Sequence, residues 1–138
     1  MEYFISTEKA RLDLGAIHDF ISISYWADGR TMEEVQATIE NSLCFGIYMN
    51  SGKQVGFARV VTDHTFFGYL MDFFVLKEFQ GKGFGKALMD FISSHETIKD
   101  LRTFVLKTKD AHEFYKRYGF QKIANSPLWM VNDKQILN

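Results

Sequence analysis

Val75-Leu76-Lys77-Glu78-Phe79-Gln80-Gly81-Lys82-Gly83-Phe84-Gly85-Lys86-Ala87-Leu88 decides how the chain is organised. The apolar run Tyr69–Leu76 ends as this stretch begins, and an amphipathic run over 84–95 leaves from it. Three glycines alternate through the junction, at 81, 83 and 85. The pattern predicts a strand, a tight loop and the start of a helix. Glycine tolerates positive φ and lets backbone N–H groups approach a ligand closely. A helix N-terminus adds unpaired N–H groups and partial positive charge, so the junction suits an anion such as a pyrophosphate. Lys82 and Lys86 add charge of the same sign. The spacing is neither the dinucleotide fingerprint G-x-G-x-x-G nor a P-loop, because no Gly-Lys-Ser/Thr follows.

Working outward, the strand before the loop is predicted over 68–76. Cys44–Met49 and Val55–Thr62 read as two strands joined by the hairpin turn Asn50-Ser51-Gly52-Lys53. Ahead of them lie two helices. Asp13 is placed to cap the first, whose apolar face is Leu14, Ile17 and Ile21. Thr31-Met32-Glu33-Glu34 is a capping box for the second, whose apolar face is Val35, Ile39 and Leu43. Tyr3–Ser6 is a short strand. Beyond the loop helix, Leu101–Lys107 is a strand, Asp110 is placed to cap a short helix, and Gly119 ends that helix. Phe120–Ala124 and Leu128–Val131 are the last predicted strands. The order is β-α-α-β-β-β-α-β-α-β-β, an α/β (α+β) sheet of mixed direction flanked by helices. No repeat, linker or composition shift divides residues 1–138, so a single domain is expected.

The chain has 138 residues, 46% hydrophobic and 24% charged, and a folded core is expected from such a composition. Its net charge of −1 offers no basic footprint for nucleic acid. No apolar run reaches the ~18 residues of a membrane span. The N-terminus lacks the basic and long apolar regions of a signal peptide. The single cysteine, Cys44, cannot form an internal disulfide, and a cytoplasmic location is expected. Fourteen phenylalanines are compatible with a homodimer face as well as with a bulky core.

Two motifs together resemble the GNAT superfamily of acetyl-CoA-dependent N-acetyltransferases, and in particular its small stand-alone bacterial members. Gln80-Gly81-Lys82-Gly83-Phe84-Gly85 is similar to the family's Q/R-x-x-G-x-G/A loop. Ala111-His112-Glu113-Phe114-Tyr115-Lys116-Arg117-Tyr118-Gly119-Phe120 is similar to its A-x-x-Φ-Y-x-x-x-G-F helix. The element order fits the family's twisted, mostly antiparallel sheet from end to end. In two places the chain departs from the pattern. Thr108 stands where the family often has Asn, and no proline precedes the loop.

The resemblance implies that backbone N–H groups of Gln80, Gly81, Lys82, Gly83, Phe84, Gly85 and Lys86 hold the pyrophosphate of acetyl-CoA. It implies that pantetheine lies along Phe74 and Val75 where the strand splays at a bulge, with the Val75 N–H meeting the thioester carbonyl. It also makes Tyr115 the general acid for the leaving thiolate, against the plainer reading of an apolar-face residue. Asp72, three residues before Val75, is the candidate general base or else a solvated or ion-paired strand residue. Tyr25, Trp26 and Arg30, between the first two helices, are candidates for the acceptor site; Arg30 binds a substrate carboxylate or is a solvated loop charge. No metal is implied. The expected reaction is acetyl transfer to a primary amine of a small molecule or protein, by direct attack in a ternary complex. The alternative is a catalytically silent acyl-CoA-binding sensor.

Overall fold

Tyr3–Ser6 (β1), Leu43–Met49 (β2), Gln54–Thr62 (β3), Phe67–Val75 (β4) and Thr103–Leu106 (β5) form one sheet in the order β1-β2-β3-β4-β5. The first four strands are antiparallel neighbours, and β5 runs parallel to β4. The computed structural model describes residues 2–24, 26–27, 29–123 and 126–134. They fall in two compact units, Met1–Lys107 and Thr108–Asn138.

In the first unit, successive residues of β2 point to opposite faces. Cys44 packs with Ile17 and Ile21 of α1 (Leu14–Ser22) and with Val35 and Ile39 of α2 (Met32–Glu40). Phe45 faces the other way, with its ring 6.1 Å from Phe91 of α3 (Phe84–Ser94). The sheet is therefore covered on both faces, α1 and α2 on one and α3 on the other. Fully buried Phe45, Ile47, Phe57, Leu88 and Ile92 make the core.

The local signals act as anticipated. Asp13 Oδ1 accepts from Ala16 N at 3.0 Å. Thr31 Oγ1 accepts from Glu34 N, and Glu34 Oε1 accepts from Thr31 N, completing the capping box. Gly52, at φ 98°, turns the β2–β3 hairpin, where Met49 N donates to Lys53 O.

The second unit holds the five-residue helix α4 (His112–Lys116), closed by Gly119 at φ 90°. Two expectations are corrected here. Asp110 does not cap α4; the cap position is Ala111, and Thr108 Oγ1 accepts from its N–H at 3.1 Å. The strands expected over 120–124 and 128–131 are absent among the described residues; Ala124 lies outside them. A strand exists only where a neighbour pairs with it, and alternating apolar residues do not supply that neighbour. Ser126 N instead donates to Ile123 O, and Pro127 has no N–H to give. Leu128 and Met130 are exposed.

Candidate functional site

The site begins with a defect in the β3–β4 ladder. Phe57 pairs with Phe74 and Arg59 with Met71, so Asp72 and Phe73 together face Ala58. This is a β-bulge, with Asp72 at φ 54°. Aspartate is among the residues that tolerate this left-handed conformation best. The parallel ladder to β5 ends nearby, at Leu70↔Leu106, while β3 stays paired with β4 as far as Gly56↔Val75. The sheet thus opens between β4 and β5 from the bulge onward.

Backbone direction at the opening follows from one hydrogen bond. Leu76 N donates to Val55 O on the β3 side at 2.8 Å. Successive N–H groups along a strand alternate in direction, so the Val75 N–H points away from β3, toward the opening. Gln80 Nε2 donates to Val75 O at 2.9 Å and holds the following peptide, Val75–Leu76, from the loop side. The Phe74 side chain is turned elsewhere; it stacks on Phe20 of α1 with centroids 4.2 Å apart. Any contact of Phe74 with a ligand in the opening is therefore through its backbone.

The glycine loop follows. After a short 3-10 turn, Lys77–Phe79, Gly81 (φ 76°) and Gly83 (φ 89°) both take left-handed backbone, and Gly83 is the N-cap of α3. No side chain caps that helix, so its first-turn N–H groups are available to an anion. A Cβ built at Gly81 or Gly83 meets nothing within 4 Å. Lys82 and Lys53 both lie over the Phe79 ring, at 5.7 and 5.2 Å. Lys53, from the β2–β3 turn, is thus a cation near the loop that sequence reading missed. Lys86 Nζ is 2.8 Å from Asp90 Oδ2, which tempers its charge. The Phe84 ring is buried against Tyr3 and Phe79 and does not face the loop's exterior. A groove of about 460 Å³ runs between β1 (Tyr3, Ile5) and α3, and touches the loop through Gly83 and Lys86.

Asp72 has the environment of an ion-pair partner. Its Oδ1 accepts from Trp26 Nε1 at 2.9 Å, and its Oδ2 accepts from Arg30 Nη1 and Arg59 Nε, both at 2.7 Å. Its side chain is 1% exposed. With both oxygens engaged by Trp26, Arg30 and Arg59, these contacts favour the ion-paired reading of Asp72 over the general-base one. Arg30 is likewise not a solvated loop charge, with only 16% of its side chain exposed. Trp26 and Arg30 meet on Asp72, and Tyr25 lies outside the described residues. Sequence reading missed Arg59 and Ser42, which are joined by Arg59 Nη1 donating to Ser42 Oγ at 3.1 Å. The available signal was one arginine inside the otherwise apolar run 55–61.

In the second unit, Tyr115 lies on α4 with Phe114 and Phe120 against its ring, at 5.0 and 5.9 Å. Its backbone N–H donates to Ala111 O. Cys44, elsewhere, is buried, and burial pushes its thiol up to about 11, so it is inert as a nucleophile. No helix among the described residues is long and apolar enough to cross a membrane.

Comparison with known proteins gives a consistent result. The Acetyltransferase (GNAT) domain profile matches residues 40–122. A protein of Gibberella zeae assigned as an acetyltransferase is 29% identical over 87% of this chain and 80% of its own. The uncharacterized N-acetyltransferase ycf52 of Gracilaria tenuistipitata var. liui is 31% identical over 66% of the chain, which spans 53% of that protein. A crystal structure from Xanthomonas campestris pv. campestris, assigned to the GNAT family, is similar with a TM-score of 0.91 and 42% identity, covering 96% of this chain and 94% of that one. AAC(6')-Iy, solved with the bisubstrate analogue CoA-S-monomethyl-acetylneamine, shares the fold with a TM-score of 0.68 and 18% identity, over 96% of this chain and 100% of its own.

Proposed function

Because the chain belongs to the GNAT acetyltransferase family, we propose that it moves an acetyl group from acetyl-CoA to a primary amine by direct attack in a ternary complex. The observation that carries this reading is the opening after the Asp72–Phe73 bulge, with the Val75 N–H aimed into it and the glycine loop at its end. An extended pantetheine arm added along Phe74–Val75 would leave its pyrophosphate at the first turn of α3. The bisubstrate analogue bound by AAC(6')-Iy, a CoA joined to an acetylated amine, agrees with an acetyl-CoA co-substrate on this fold.

In this reading the neutral amine attacks the thioester carbonyl and a tetrahedral oxyanion forms. The Val75 N–H donates to that oxyanion. The C–S bond then breaks. Tyr115, the tyrosine of the helix motif, gives its phenolic proton to the departing thiolate; the ammonium formed on the acceptor releases its proton to solvent, and the phenolate takes a proton back from solvent. Donation from a phenol near pKa 10 to a thiolate near 8.5 is uphill by roughly 2 kcal/mol, which positioning can offset. Trp26 and Arg30 belong to the acceptor side.

Calorimetric titration with acetyl-CoA, followed by thiol release against a panel of primary amines, tests the proposal. Micromolar binding with amine-dependent thiol release is expected. Failure to bind acetyl-CoA would defeat the reading. Binding with no release from any amine would leave a sensor in place of an enzyme.

A further inference from the structure

The cluster beside the bulge carries more positive than negative charge. Two guanidinium groups, Arg30 and Arg59, share the one carboxylate of Asp72, and the other partners, Trp26 and Ser42, are neutral. Among the described residues the formal sum of this set is +1, at a site where the Arg59 and Asp72 side chains are 6% and 1% exposed. A charge held out of water without a counter-ion is costly, and the excess has to meet something.

It resides at Arg30. Arg59 is committed through Nε to Asp72 and through Nη1 to Ser42. Arg30 gives only Nη1 to Asp72; among the described residues no protein acceptor takes its Nε or Nη2. Its side chain keeps 16% of its surface exposed, the most open member of the arginine–aspartate set. Glu34, the carboxylate that feels its charge, is fully exposed and bound to the Thr31 N–H. The fork is also held firmly, because Asp72 fixes one arm and His18 Nε2 hydrogen-bonds to the Arg30 carbonyl at 2.9 Å. A planar guanidinium with one arm pinned and two donors left over matches a carboxylate or phosphate.

We propose that Arg30 is an oxyanion-binding residue of the acceptor site, and that the preferred acceptor is a primary amine carrying a carboxylate or phosphate group. The inference rests on the acetyl-transfer reading and names its substrate class. Asp72 lies three residues before Val75, about 10 Å along an extended strand. At that spacing the acidic group would be held a short chain away from the amine that meets the acetyl carbonyl.

Matched acceptors test this. Thiol release at saturating acetyl-CoA is measured with ω-amino acids of increasing chain length and with aminoalkyl phosphates. Each is compared with its neutral amide or alcohol counterpart. At the best length, the acidic acceptor is expected to exceed its neutral counterpart in kcat/KM by about tenfold or more, mainly through KM. The arm with the larger gap distinguishes carboxylate from phosphate. Arg30→Gln should remove the gap while calorimetry shows wild-type acetyl-CoA affinity. Arg30→Lys, which keeps the charge but not the fork, should restore part of it and serves if the glutamine variant does not fold. Equal use of acidic and neutral amines by the wild type would overturn the inference and leave acetyl transfer standing. No thiol release from any amine, with acetyl-CoA bound, would remove both.

Discussion

Gly83 sits at φ 89° with open space around it, and Gly85 has ordinary helical backbone with only Val75 Cγ2, 3.9 Å from where a Cβ would be. A side chain at Gly83 is strained whatever is bound, at a cost of about 1–2 kcal/mol for Ala. At Gly85 an Ala should be neutral or stabilising by up to ~1 kcal/mol. The proposed pyrophosphate site separates them further: Gly85→Ala should bind acetyl-CoA more weakly at unchanged or higher urea midpoint, whereas Gly83→Ala should lose midpoint itself. Wild-type acetyl-CoA affinity in Gly85→Ala would move the pyrophosphate off this loop. Tyr115→Phe keeps the ring that packs against Phe114 and Phe120 and removes only the proton. Turnover should fall about tenfold or more, in line with a general acid's share of the rate, with acetyl-CoA affinity unchanged. If turnover is unaltered, Tyr115 has no part in the chemistry. The loop glycines were legible in the sequence because their spacing is local. Asp72 was not, because its partners lie 13, 42 and 46 residues away, and those distant groups decide between base and ion pair.

The same division holds for whole elements. The starts of α1 and α2 were readable because cap donor and acceptor are three residues apart. The β2–β3 hairpin was readable because Gly52 supplies the positive φ its turn requires. The strand–loop–helix junction was readable because both periodicities meet there. The two strands expected after α4 are absent among the described residues because pairing is a long-range property, and the bulge in β4 was anticipated through the family resemblance rather than from any local pattern. The cap of α2 matters beyond its own helix, since Arg30 immediately precedes Thr31. Thr31→Ala should cost about 1 kcal/mol in urea unfolding, while acetyl-CoA binding persists. A loss within error of zero would mean that the Glu34 half of the capping box, still free to accept from the residue-31 N–H, holds the helix start alone.

Across the molecule, charge and burial set the pH range of stability. Hydrogen bonds from the Thr31 N–H hold the Glu34 carboxyl below its ordinary range; the Phe67, Thr65 and Phe66 N–H groups do the same for Asp63, and Lys116 does so for Glu113. These folded-state values lie below the unfolded 4.5, 3.8 and 4.5, so the stabilisation is present above them and is lost as pH falls through the folded values. The alkaline side has the opposite sign. Burial pushes Cys44 from 9.0 up to about 11 and Tyr48 from 10.0 up to about 12, and the Tyr48 hydroxyl has no hydrogen-bond partner among the described residues. The unfolded chain therefore gives up these protons first. The contribution is whole below about pH 9 and drains away as pH rises toward 11–12. Urea midpoints should form a plateau from about pH 5 to 9 that falls on both sides. The double variant Cys44→Ala/Tyr48→Phe removes both alkaline groups and keeps the Tyr48 ring that stacks on Phe4 at 5.1 Å. Relative to its own plateau, it should fall less steeply than the wild type between pH 9 and 11. Superimposable alkaline limbs would show that neither group is linked to folding.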